Sequence, residues 1–129
     1  MISEILDKEE DRMNFIREML RSLTSREEKV LRLYFGIDET KTTLAEIGQD
    51  FDITEDSVRK IKNKGIYKVI NRVTNIELFE SGEKNHWIPL SSHIDKDLIA
   101  RCIDERKSKL FDEFMVKLLK IDWEEWVLK

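Results

Sequence analysis

The residue types best suited to chemistry in this sequence are cations. Arg59, Lys60, Lys62, Lys64, Lys68 and Arg72 fall within residues 55–72 against only Glu55 and Asp56, a local net charge of +4. Residues 1–54 carry −5 and residues 73–129 carry −3, so a concentrated basic stretch stands inside a chain of net charge −4. Asymmetry of this kind points to an anionic partner, although six cations also suit a plain solvated helix. Groups for catalysis are scarce. His86 and His93 come without a cysteine pair or an HExxH-type spacing to hold a metal. Cys102 falls on an apolar helical stripe and reads as a small core residue. There is no GxxxxGK[ST] and no GxGxxG, so neither an enzyme nor a cofactor is expected.

The surrounding elements must position the basic stretch. With 129 residues, 40% hydrophobic and 39% charged, the chain suits one ordinary domain or a small domain with an appendage. Four Gly and one Pro are too few for a turn-rich all-β fold. Residues 2–22 read as an amphipathic helix through Ile2, Ile5, Leu6, Met13, Ile16, Met19 and Leu20. Thr24-Ser-Arg-Glu27 is a capping box that opens a helix ended by Gly36. Thr43-Leu-Ala-Glu46 opens a short helix through about Phe51, and Thr54 caps the helix that carries the cations. Gly48, Asp52 and Val58 supply the small residue, the sharp turn and the apolar residue that two closely crossing helices need. The outline is a helix-turn-helix with supporting helices.

Beyond Arg72 the pattern changes. Residues 76–90 read as a β-hairpin or an irregular wrap, with Gly82 in the turn and Pro89 limiting the second run to an edge strand or non-strand. A long helix is expected over about 95–121, with Leu98, Ile99, Cys102, Ile103, Leu110, Phe111, Phe114, Met115, Leu118 and Leu119 on its stripe. Asp122 is placed to cap a last turn carrying Trp123 and Trp126. No long apolar run predicts a membrane span, and the acidic start does not resemble a signal peptide.

The run Leu23-Thr-Ser-Arg-Glu-Glu-Lys-Val-Leu-Arg-Leu-Tyr-Phe-Gly-Ile-Asp38, followed by Thr43-Leu-Ala-Glu-Ile-Gly-Gln-Asp-Phe-Asp-Ile-Thr54, resembles region 4 of the primary-type bacterial sigma factors. The likeness extends over about residues 5–72. It implies a helix-turn-helix that binds the flap of the polymerase β-subunit and sets its last helix into the upstream promoter element. The third block departs from the family. Where the family has a base-reading Arg, this chain has Glu55; Ser57 replaces a second Arg, and Lys60 replaces the base-reading Gln. Tyr34 stands where the family has a phosphate-contacting Arg, and Gln49 where it has a Lys.

Together these readings define a mainly α protein. A four-helix, sigma region 4-like domain is expected over 1–72, and an extension over 73–129 with a hairpin at 76–90 and the long helix. The expected function is a cytoplasmic, nucleoid-associated transcription initiation factor or regulator, of a kind suited to a phage or mobile element. Its partners would be bacterial RNA polymerase, promoter DNA, and a second sigma-like subunit that supplies the domains region 4 lacks. The alternatives are a sigma mimic, co-activator or anti-sigma protein that binds polymerase without reading DNA. Thr43, Ser57, Arg59, Lys60, Asn63 and Lys64 are the expected DNA-contacting residues. Phe15, Ile16, Met19 and Phe35 are the expected polymerase-binding residues.

Overall fold

The computed structural model describes residues 15–75 and 94–120, together with the backbone of residues 77–80, 87–89 and 126–128. It is mainly helical. Within the described residues α1 covers 15–20, followed by α2 (Ser25–Phe35), α3 (Leu44–Phe51), α4 (Glu55–Val73), α5 (Lys96–Glu105) and α6 (Ser108–Leu119). Three short strands, β1 (Glu77–Glu80), β2 (Trp87–Pro89) and β3 (Trp126–Leu128), pair antiparallel in the order β2-β1-β3. Leu78 lies opposite both Ile88 and Leu128. The expected helical residues 2–14, the Gly82 turn, His86, His93, Asp122 and Trp123 lie outside the described residues. Trp126, expected on a last helical turn, belongs instead to β3.

α2, α3 and α4 each start where a hydroxyl satisfies an otherwise orphaned amide. The Thr24 hydroxyl accepts from the Glu27 N–H at 3.2 Å, and the Glu27 carboxylate accepts from the Thr24 N–H at 2.9 Å. Thr43 caps α3 through the Glu46 N–H at 3.2 Å, but Glu46 answers the Thr43 hydroxyl at 2.9 Å rather than its backbone. Thr54 accepts from the Ser57 N–H at 3.1 Å. Between α3 and α4 the chain turns in three residues, with Asp52 left-handed at φ 57° and the Ile53 N–H bonded to the Gly48 carbonyl at 2.9 Å. A Cβ on Gly48 would stand 2.7 Å from the Ile53 carbonyl oxygen. Only glycine lets the turn close this tightly.

Two apolar clusters hold the helices. The smaller joins α2, α3 and α4 through fully buried Val30, Ile47 and Val58. The larger takes Phe15, Ile16, Met19 and Leu20 from α1, and Ile66, Val69, Ile70 and Val73 from α4. It continues into Leu98, Ile99 and Cys102 of α5 and Leu110, Phe111, Phe114, Met115 and Leu118 of α6. α4 is therefore common to both, with the helix-turn-helix on one side and the C-terminal helices on the other.

The single long helix expected over 95–121 is broken. Arg106 is left-handed at φ 50° and ψ 41°, and α6 begins two residues later. The cause lies in the stripes themselves. At 3.6 residues per turn, the buried set of α5 and that of α6 would point roughly 145° apart on a continuous helix. A break re-aims the second set so that both reach α4, and Ile103, off the re-aimed stripe, is exposed.

One polar contact fixes α6 against α4. The Lys62 ammonium, only 1% exposed, donates to Asp112 Oδ1 at 2.5 Å and to the Ser108 hydroxyl at 2.8 Å. It also lies 5.0 Å from the centre of the Tyr34 ring, whose hydroxyl donates to the other Asp112 oxygen at 2.9 Å. A second buried pair links α2 to α4: Lys68 donates to Glu27 at 2.7 Å. Burial pushes the Glu27 carboxyl up, but the Lys68 ammonium and the Thr24 N–H outweigh it and hold the group below 4.5.

Two outcomes follow from these pairs. Asp112→Ala should cost about 3 kcal/mol in denaturant unfolding, because it strands a buried ammonium, whereas Lys62→Met with Asp112→Leu should recover most of that loss. Glu27, with its lowered pKa, contributes stability that is complete above 4.5 and drains as pH falls through its folded value. Glu27→Gln should therefore lose about 1–3 kcal/mol at neutral pH and show a flatter acid limb in stability against pH.

Candidate nucleic-acid interface

As the second helix of the helix-turn-helix, α4 is the element that such a unit offers to a DNA groove. Its buried residues, Val58, Lys62, Gly65, Ile66, Val69, Ile70 and Val73, define one side. Lys60 and Lys64 lie on the opposite, open side, and the Lys60 side chain is 79% exposed. Ser57 borders that face, and its hydroxyl sits 2.8 Å from that of Thr54.

Most of the positive charge is already spoken for. Arg59 pairs with Asp56 at 3.1 Å and Glu55 at 3.8 Å, and Lys60 with Asp56 at 3.3 Å. Lys62 is held by Asp112, Lys68 by Glu27, and Arg72 by Glu18. Lys64 alone of the six has no ion pair among the described residues. The exposed pairs are weak and exchange readily with a phosphate. The Lys62 pair does not, because its ammonium is out of contact with solvent.

Placement of the expected DNA-contacting residues divides accordingly. Ser57, Lys60 and Lys64 share the open face, with Arg59 half-exposed at its edge. Thr43 is exposed at the start of α3, its hydroxyl engaged with Glu46. Asn63 turns the other way, since its side-chain oxygen accepts from Ser108 of α6 at 3.3 Å. Glu55 and Asp56 occupy the first turn of α4, where carboxylates suit the helix dipole but oppose an approaching phosphate.

The expected polymerase-binding set is mostly interior. Phe15, Ile16 and Met19 are buried in the cluster shared with α4, α5 and α6, because the C-terminal helices supply the apolar cover that those residues need. Phe35 is half-buried, edge-on to Tyr34 with ring centres 4.9 Å apart. It lines an open groove with Tyr34, Lys41, Thr43, Leu44 and Val116. Burial and the bond to Asp112 push the Tyr34 hydroxyl up to about 12, so this residue serves the groove as a neutral phenol.

Sequence reasoning missed what the C-terminal helices bring to α4. Arg106 lays its guanidinium 5.1 Å from the centre of the Tyr67 ring, beside Asn63 and Ser108. Among the described residues no group of three His, Cys, Asp or Glu could hold a metal, and no helix is long and apolar enough to cross a membrane. Cys102 is buried, with its sulfur 3.4 Å from the Leu110 carbonyl oxygen, and burial pushes its thiol up.

Comparison with known proteins finds a likeness over part of this chain. Residues 19–69 match the family model described as Sigma-70, region 4. The RNA polymerase sigma factor RpoD of Neisseria gonorrhoeae is 50% identical over 54 residues, covering 41% of this chain and 8% of that protein. The RNA polymerase sigma factor SigA of Clostridium acetobutylicum is 45% identical over 53 residues, covering 40% of this chain and 14% of that protein. The chain thus spans a small fraction of the length of the curated relatives it matches. No solved structure matches it. The matched stretch holds the capped helices α2 and α3, the Gly48 turn and most of α4, and over these residues the chain is similar to sigma-70 region 4.

Proposed function

We propose that this chain is a transcription initiation factor or regulator that associates with bacterial RNA polymerase and contacts promoter DNA through α3 and α4. The observation that carries the reading is the region 4 module itself, with its turn geometry intact and an open α4 face bearing Ser57, Lys60 and Lys64. In a major groove, Lys60 and Lys64 suit guanine O6 and N7 or the flanking phosphates, and Glu55 suits a cytosine amino group. With so few unpaired cations, DNA affinity alone would be low. Attachment to polymerase supplies the remainder by raising the local concentration of DNA around the module.

The polymerase contact proposed is the β-subunit flap. The groove lined by Phe35, Leu44 and Val116, with Lys41, Glu55 and Asp112 on its polar side, is an exposed surface that a flap segment can reach without opening the core. Direct binding through Phe15, Ile16 and Met19 would require α5 and α6 to leave α1, since all three side chains sit in their common cluster. A further sigma-like subunit is proposed to supply clamp binding and promoter opening, which region 4 does not perform.

A second reading keeps the polymerase and drops the DNA. It is favoured by one observation: five of the six α4 cations are paired with carboxylates. On that reading the chain is a sigma mimic, co-activator or anti-sigma protein.

Binding to a labelled promoter duplex at a series of salt concentrations separates the two. Lys60→Ala with Lys64→Ala should weaken binding and flatten the log–log salt slope by about 1 to 2 units. Glu55→Arg should strengthen it. Unchanged affinity and slope in the double variant, with retained binding to core polymerase, would establish the DNA-free reading. Absence of core-polymerase binding at high micromolar protein would overturn both.

A further inference from the structure

We infer that the turn between α5 and α6 is a second phosphate-contacting surface, built by the C-terminal extension beside α4, and that it takes the backbone of the same DNA duplex. The inference rests on the DNA-contacting reading above and assigns it residues outside the region 4 module.

Position comes first. Two contacts pin the turn to α4: the Arg106 guanidinium 5.1 Å from the Tyr67 ring centre, and the Ser108 hydroxyl 3.3 Å from the Asn63 side-chain oxygen. Tyr67 and Asn63 lie on the flank of α4 next to the face that carries Lys60 and Lys64. The turn thus extends the open face sideways and does not cover it.

Charge comes second. Arg106, Lys107 and Lys109 are all exposed. Lys107 has a weak surface pair with Glu105 at 3.5 Å, a carboxylate that also receives Arg101 at 3.5 Å. Arg106 and Lys109 have no ion pair among the described residues, and exposed Asp104 is the remaining acid of the turn. Three cations here offset those that α4 commits to Asp112, Glu27 and Glu18.

Arg106 holds φ 50° at a helix C-terminus, where glycine or asparagine is the unstrained choice. Its side chain stacks on Tyr67 and donates through Nε to the Ile103 carbonyl at 3.4 Å, which holds an exposed cation beside the open face of α4. Among anionic partners, a duplex backbone fits best. Lys60, Lys64 and the turn form a band along a groove-reading helix, and repeated phosphates match a band of separated cations.

The test uses the full chain and a fluorescein-labelled 30-base-pair duplex, with anisotropy read at several salt concentrations. R106Q/K107Q/K109Q should lower affinity about tenfold at 0.1 M salt and flatten the log–log slope by about 2 to 3 units. K96Q/K117Q/K120Q removes the same charge from the far ends of α5 and α6, and should leave the slope within about half a unit of the parent. Arg106→Gly relieves the strained backbone, so it should keep or raise the melting temperature while weakening DNA binding. If K60A/K64A flattens the slope and the turn variant does not, the second surface is overturned and the α4 reading stands. Equal losses in the turn and control variants would reduce the effect to net charge and also overturn it. If the parent chain binds no duplex at low salt, both readings fall. Loss of RNA binding alone, with DNA binding unchanged, would reassign the turn to a different nucleic acid and overturn the proposal as stated.

Discussion

An ammonium group with almost no solvent contact must find its whole solvation in the protein, and Lys62 sets that demand in the middle of α4. A positive charge removed from water is tolerated only where anions and oriented dipoles surround it. Asp112 supplies the charge, Ser108 an oxygen and Tyr34 a ring face, while the Tyr34 hydroxyl in turn holds the second Asp112 oxygen. Three elements, α2, α4 and α6, are brought into register by one nitrogen. Apolar contacts are non-directional and by themselves set the position of α6 less sharply than a charge does. The ammonium accepts only the position in which Ser108 and Asp112, one helical turn apart, both face it.

That constraint shapes the rest of the surface. With α6 docked, α4 is buried on two sides, and what remains open is a narrow face with Ser57, Lys60 and Lys64 flanked by the α5–α6 turn. The same docking closes the larger core over α1 and places Phe15, Ile16 and Met19 inside. The helix-turn-helix and the C-terminal helices consequently share one apolar cluster, even though the family match ends at residue 69. A helix whose polar flank reaches for Asp112 and whose apolar flank carries Ile66, Val69 and Ile70 belongs to both.

Much of the N-terminal half was legible because its determinants are local. A threonine followed three residues later by glutamate fixes the start of α2 with no reference to distant chain, and a glycine four residues before a bend shows in the sequence as a small residue at a crossing. The break at Arg106 was also written in the sequence, as two apolar stripes out of phase, but it is hidden if the stripes are read as one broad band. Lys62 carried a readable signal too. It stands between Val58 and Ile66 at four-residue spacing, on the stripe that α4 buries. Its partner was not readable, since Asp112 is fifty residues away and nothing in a charged helix marks which acid turns inward. The direction of Asn63 was unreadable for the same reason: its side-chain oxygen accepts from Ser108, a contact that exists only once α6 is in place.

The sharing of α4 between two cores also imposes an order in time. Everything the smaller cluster needs has been synthesised by the time Val73 leaves the ribosome, so α2, α3 and α4 can assemble early. Their other flank, with Ile66, Val69, Ile70 and Val73, has α1 as cover at that stage but lacks the cover of α5 and α6 until Leu118 has been made. At ordinary elongation rates the delay is about 2–9 s. During that interval the nascent chain shows an apolar strip and an uncovered lysine that the finished protein hides. A chaperone, or an early-binding subunit of the transcription machinery, would meet a different surface from the one the mature molecule presents.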